Sequence, residues 1–207
     1  MAKFCIFSDA HGDVRPLKKI APSVDYFLSC GDLSFYDNGA FPKPLYTILG
    51  NHEMWVFVPI MKKGIVRIGN LHIMDSAKIY SIGSLRVAGL NGNFSPSYSS
   101  HPRHFSKEDV EECLKLGNVD IFLSHEAPTG IGMKNRRNGE DMGVEPVNQI
   151  IDALMPKFLF CGHHHTFLES KIGGTKIVCL PKLKEGHVIF DTEKMEYSFV
   201  AGKQPDL

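Results

Sequence analysis

Five short polar turns, each closing an apolar run, constrain this chain more than any other feature. In order they are Asp9-Ala10-His11, Gly31-Asp32, Gly50-Asn51-His52-Glu53, Ser124-His125 and Gly162-His163-His164-His165. The runs before them read as short buried β-strands: Phe4 to Ser8, Asp25 to Cys30, Pro44 to Leu49, Val119 to Leu123 and Phe158 to Cys161. One such turn is ordinary loop chemistry. Five at strand ends point to loops converging on one edge of a sheet, where ligand sites form. Carboxylate, imidazole and amide oxygen are the groups that hard to borderline divalent metals take. The expectation is a hydrolase built around two metals.

Between these strands the periodicity turns helical in places, which suits a βαβ-type start. Val14 to Ile20 reads as a helix. Ser106 with Asp109 forms a capping box for a helix that runs to Leu116, and Val144 to Met155 reads as another. Two regions look antiparallel. The first holds Leu71 to Met74, Ile79 to Ile82 and Leu85 to Leu90. The second holds Ile177 to Leu180, His187 to Phe190 and Tyr197 to Val200. A long polar loop spans Gly130 to Gly143. No repeat or linker divides the chain, so residues 1–207 read as one domain of two packed sheets with outer helices.

Lysine plus arginine and aspartate plus glutamate both number 23. That balance argues against a basic face for bulk nucleic acid or an anionic membrane. Nucleic acid is therefore not the partner that charge indicates. The five cysteines are odd in number and widely spaced, which reads as buried thiols and a cytoplasmic setting. The start runs straight into a strand and not into a signal peptide, and no apolar stretch approaches a membrane span.

Asp9 and His11 stand two apart, so both reach one centre from a turning backbone, and His163 and His165 do the same. Asp32 offers two oxygens and can bridge. Asn51 brings an amide oxygen and His125 an imidazole. Two ligand-rich centres on the usual scale of about 3.5 Å follow. A bridging water between such ions attacks as hydroxide, while the ions offset phosphoryl charge. His52, beside the ligand Asn51, is the general acid for the leaving oxygen or a clamp on the phosphoryl group.

The ordered set of Asp-x-His, Gly-Asp, Gly-Asn-His-Glu, Ser-His and Gly-His-x-His resembles the calcineurin-like metallophosphoesterase superfamily, from Phe4 to beyond His165. The resemblance implies an α/β fold, a four-layer αββα sandwich of two mixed sheets. It implies that Asp9, His11 and His165 hold one metal, that Asp32 bridges, that Asn51, His125 and His163 hold the other, and that His52 is catalytic. The cofactors it implies are two divalent ions, manganese first and iron, zinc or nickel as alternatives. The phosphoprotein phosphatase branch carries an arginine before Gly-Asn-His-Glu, where this chain has Leu49, and Asp-Arg-Gly after the bridging aspartate, where Leu33-Ser34-Phe35-Tyr36 stands. The build is more similar to compact archaeal and bacterial phosphodiesterases. Ser124 to Pro128 weakly resembles RNA lariat debranching enzymes, which carry a cysteine where this chain keeps His11.

The expected activity is hydrolysis of a phosphodiester, in a small molecule or nucleotide. A phosphomonoesterase and a non-catalytic scaffold of the same fold are the alternatives. Pairing with a second copy is the expectation for small members of this fold. Asn51, Asn93, Arg103 and Arg137 are the candidate substrate contacts, the arginines because a planar guanidinium suits phosphate. His164 reads as a neighbour of the ligands or a surface residue, and Glu53 as a partner for backbone groups. His72 and His187 read as structural, and Trp55 to Pro59 as ordinary core.

Overall fold

The first strand, β1 (Lys3–Phe7), is apolar on both faces: only Lys3 is exposed and the other four residues are buried. β2 (Tyr26–Ser29), β7 (Ile121–Ser124) and β8 (Phe158–Cys161) share that pattern. Strands without polar alternation must be covered above and below, which is the signature of parallel strands inside a layered α/β protein. The computed structural model, which describes residues 2–34, 41–98 and 100–202, shows that arrangement. Phe35 and Tyr36 lie outside the described residues.

Two six-stranded sheets form. With β3 (Leu45–Thr47), β4 (Leu71–Ile73), β11 (Gly186–Asp191) and β12 (Glu196–Ala201), the first runs β12-β11-β1-β2-β3-β4. With β5 (Tyr80–Ile82), β6 (Leu85–Leu90), β9 (Leu168–Ile172) and β10 (Thr175–Cys179), the second runs β5-β6-β7-β8-β10-β9. β1 to β4 are parallel, as are β6, β7, β8 and β10, and antiparallel strands close both sheets.

Strand alternation sorts the side chains into three apolar layers. Phe4, Ile6 and Leu28 of the first sheet meet Val87, Leu123 and Phe160 of the second between the sheets. Phe160 touches Phe190 edge-on at 6.3 Å, and truncating such a buried ring costs about 3–5 kcal/mol. The opposite face of the first sheet, with Cys5, Phe7 and Phe27, packs on Leu17 of α1 (Arg15–Ile20). The outer face of the second, with Phe122 and Leu159, packs on α3 (Lys107–Leu114) and α4 (Glu145–Leu154), α2 (Val58–Lys62) lying elsewhere in the chain. The result is the expected four-layer sandwich.

Local signals account for several boundaries. Ser106 Oγ accepts the Asp109 amide at 3.0 Å, and Asp109 Oδ2 accepts the Ser106 amide at 2.9 Å, so the capping box is formed. The α4 helix ends at Met155, whose φ of 45° stops further winding. The five cysteines are buried and free. Among the described residues no helix is long and apolar enough to cross a membrane.

Three expectations need correction. Leu71 to Met74 does not join a hairpin, because β4 pairs parallel with β3 across the first sheet. Ile177 to Leu180 does not continue into the strand at His187. β10 lies parallel to β8 in the second sheet, and β11 lies in the first. Trp55 to Pro59 is not core throughout, since Val56 is 84% exposed and Phe57 42%.

Candidate metal centre

Every polar turn lies at the C-terminal end of a parallel strand: Asp9 after β1, Asp32 after β2, Asn51 after β3, His125 after β7 and His163 after β8. This is the edge where open α/β sheets bind ligands. The two sheets meet there. The His163 amide of the second sheet donates to Asp9 Oδ2 of the first at 3.0 Å, and within the second sheet the Gly162 amide donates to the His125 carbonyl at 3.2 Å.

Backbone strain is concentrated at the same residues. Asp9, His11, Asp32, His163 and His165 all adopt left-handed φ, between 46° and 66°. They are half of the ten non-glycine residues with positive φ among the described residues. Each such residue costs roughly 1–3 kcal/mol and persists only where its surroundings fix it. The motif glycines permit the crowding. A Cβ on Gly50 would lie 2.1 Å from Asp32 Oδ1, and one on Gly162 would lie 1.8 Å from Ser8 Oγ.

Two groups of donors result, and both include Asp9: Asp9 with His11 and His165, and Asp9 with Asp32 and His125. In the first, His165 Nε2 lies 3.1 Å from Asp9 Oδ1 and 3.1 Å from His11 Nε2. In the second, His125 Nε2 lies 3.0 Å from Asn51 Oδ1 and 3.5 Å from Asp32 Oδ1. Asp32 Oδ2 reaches back to within 3.9 Å of His11 Nε2, so this carboxylate stands between the groups. The His163 ring lies 5.0 Å from that of His125.

The donor chemistry fits divalent cations. Asp9 and Asp32 are each 1% exposed, and among the described residues their only ion-pair partners are histidines. Two buried carboxylates need compensating positive charge. His125 Nδ1 donates to the Cys30 carbonyl at 2.8 Å, which aims Nε2 at the oxygens of Asn51 and Asp32. A bare lone pair facing oxygen at that distance is unfavourable, and a metal on Nε2 that Asn51 and Asp32 share resolves it, as a proton does.

The protonation pattern of the metal-free chain agrees. Burial opposes charge on Asp9, yet hydrogen bonds with His11 and His165 hold its carboxyl well below the usual range. Burial likewise opposes charge on Asp32, and His125 overrides it. Burial disfavours a charged His125, but Asp32 pushes its pKa up to about 9. Burial pulls His163 down to about 4, the neutral form a ligand needs.

His52 sits at the mouth. Its amide donates to Asp32 Oδ1 at 2.7 Å, its carbonyl accepts from the Ser34 hydroxyl, and its exposed ring lies 5.6 Å from that of His11. Glu53 accepts the amides of Leu33, Ser34 and Gly50, and so ties the second and third turns together. The eight expected residues thus converge.

The expected substrate contacts beyond Asn51 do not join this cluster through any contact among the described residues. Asn93 pairs its backbone with Arg103, its amide donating to the Arg103 carbonyl at 2.9 Å. The Arg103 side chain is exposed, and Arg137 is exposed in a turn capped by Asn135. His72 stacks on Tyr46 at 4.6 Å, in keeping with a structural role.

Three residues were not singled out from sequence. Lys182 and Lys184 line a cleft of about 430 Å³ with Asp9, His11, Asp13 and His165. The overlooked signal is that Pro181-Lys182-Leu183-Lys184 follows an apolar run, as the five polar turns do. Glu126 follows His125, is buried, and accepts the Phe94 amide at 3.0 Å.

Comparison with known proteins completes the description. The pattern of the family described as calcineurin-like phosphoesterase matches residues 2–167. A lariat debranching enzyme of Schizosaccharomyces pombe is 26% identical over 77% of this chain and 40% of its own length. One of Entamoeba histolytica is 26% identical over 83% of this chain and 58% of its own. The chain therefore spans about half the length of these relatives or less. Among solved structures, TT1561 of Thermus thermophilus superposes with a TM-score of 0.68 at 14% identity, over 97% of this chain and 98% of that one. A structure described as a novel archaeal phosphodiesterase gives 0.56 at 14% identity, over 96% of this chain and 99% of that one.

Proposed function

We propose that this chain, which belongs to the calcineurin-like phosphoesterase family, is a two-metal phosphodiesterase. The observation that carries the reading is the pair of buried carboxylates, Asp9 and Asp32, set among His11, His125, His165 and Asn51 at one sheet edge. Asp9, His11 and His165 would hold one ion. Asn51, His125 and His163 would hold the other, with Asp32 shared. Manganese is the proposed ion, with iron, zinc or nickel as alternatives that a mixed nitrogen and oxygen donor set also admits.

Two divalent cations bound there would generate a nucleophile from water at neutral pH and offset negative charge on the phosphoryl oxygens. The chain's own residues supply position and protons. Asp32 fixes His52 through its amide, so the His52 ring stands over the mouth beside His11. From there it would give its proton to the departing oxygen or hold the phosphoryl group. The Cys30 carbonyl fixes the His125 ring, and Glu53 fixes the loops that carry Asp32 and Asn51.

A diester is favoured because the relatives are named for debranching, an act on a link between two parts. The test is hydrolysis of bis(p-nitrophenyl) phosphate and p-nitrophenyl phosphate side by side, with Mn²⁺ and with excess chelator. The proposal expects faster turnover of the diester and loss of both activities in chelator. Monoester preference would replace the diester reading, and chelator-resistant activity would remove the metals from it.

A further inference from the structure

The cleft beside His11 and His165 is cationic at its outer wall. Lys182 and Lys184 flank Leu183, which is buried in the apolar layer under the first sheet. In this turn Leu183 is buried while both lysines line the cleft. A backbone bridge between Ser8 and Lys182 fixes the turn against the residue preceding Asp9. Among the described residues neither ammonium lies within ion-pair distance of a carboxylate. Asp13, which shares the cleft, is already bound by Arg15 through two hydrogen bonds of 2.7 and 2.8 Å.

The cleft's composition places it on one side of the metal centre. It contains three residues of the first donor group, Asp9, His11 and His165, and none of Asn51, His125 or His163. It therefore extends outward from the first centre, away from the second. We propose that this cleft is a subsite for a second phosphate, with Lys182 and Lys184 as its cations. The substrate would then carry another phosphate near the scissile one, either joined through an anhydride or separated by a sugar. This rests on the phosphoesterase reading for the scissile site and adds a specificity-determining pair to it. Two ammonium groups outside ion-pair distance of any carboxylate among the described residues suit phosphate oxygens as point charges.

The test uses the purified full chain and three probes, inorganic phosphate, pyrophosphate and thymidine 3′,5′-bisphosphate, with binding followed by calorimetry. Wild type is compared with K182M/K184M, which keeps the apolar stem without the charge, and with K182R/K184R. At least one two-phosphate probe should bind wild type roughly tenfold tighter than inorganic phosphate. That advantage should vanish in the methionine variant and return in the arginine variant. Pyrophosphate showing it points to an anhydride, and the bisphosphate to a sugar-separated phosphate. No lysine-dependent advantage for either probe overturns the subsite, and wild-type hydrolysis of bis(p-nitrophenyl) phosphate then leaves the phosphoesterase reading standing. Lysine-dependent binding with no hydrolysis of any phosphoester keeps the subsite and overturns the phosphoesterase reading.

Discussion

Replacing Gly50 by alanine tests whether the site depends on close backbone approach. The added Cβ would lie 2.1 Å from Asp32 Oδ1, 2.7 Å from the Asp32 amide nitrogen and 2.8 Å from His125 Cε1. Against ordinary contact the first of these falls short by about 1.3 Å. Asp32 cannot retreat freely, because its Oδ1 holds the His52 amide at 2.7 Å and the residue is 1% exposed. His125 is fully buried and tied to the Cys30 carbonyl. The strand end must therefore move, and Asn51 moves with it. Metal–ligand distances tolerate only about 0.2 Å, so metal affinity should fall at least 10- to 100-fold. Turnover at saturating metal should fall about 10²-fold. Overpacking should cost about 1–3 kcal/mol of stability. Gly174→Ala is the control, since no atom lies within 4 Å of its Cβ. The assay is metal titration by calorimetry, diester hydrolysis and thermal melting of both variants. A Gly50→Ala protein that binds metal and turns over like wild type would refute the reasoning.

Other expectations follow from single contacts. His52→Ala should keep its metal content and fold and lose about 10²- to 10⁴-fold in turnover, and unchanged turnover would remove its role. In the metal-free chain His125 titrates at about 9, so below that pH a metal must displace its proton. Affinity should rise as pH increases toward that value, with release of about one proton at this site, seen in calorimetry across buffers of different ionisation heat. For the metal-free fold the sign reverses: the raised pKa stabilises fully below the unfolded value of 6.5 and the gain is lost as pH rises through about 9. Ser106→Ala removes the capping box, whose hydrogen bonds involve no metal ligand, and should cost about 1 kcal/mol, a fall in melting temperature of about 2–4 °C; a loss of turnover beyond what the lost stability explains would contradict that separation.

The strands that lead to the ligands were legible because they are covered on both sides and so read as unbroken apolar runs. Their turns were legible because metal chemistry restricts the residue types. Partner choice was not. β4 and β10 have the local composition of any short strand, and their places across the sheets depend on contacts distant in sequence. β9 escaped notice because its pattern is half polar, Leu168-Glu169-Ser170-Lys171-Ile172, as suits an edge strand. The short helix α2 (Val58–Lys62) spans little more than one turn between the exposed apolar residues Val56, Phe57, Ile65 and Val66, so amphipathic spacing gave no sign of it. Arg103 and Arg137 were attractive by residue type alone, but exposed loops carry no signal of where they point. Lys182 and Lys184 were overlooked because lysine is not a metal ligand, although their turn closes an apolar run like the others.

The central claim is tested most directly by diffraction from crystals grown with Mn²⁺, measured for anomalous scattering. The account predicts two peaks flanking Asp32, one against Asp9, His11 and His165 and the other against Asn51, His125 and His163. No anomalous peak at that edge, with His125 still hydrogen-bonded to Asn51 through a proton, would contradict it.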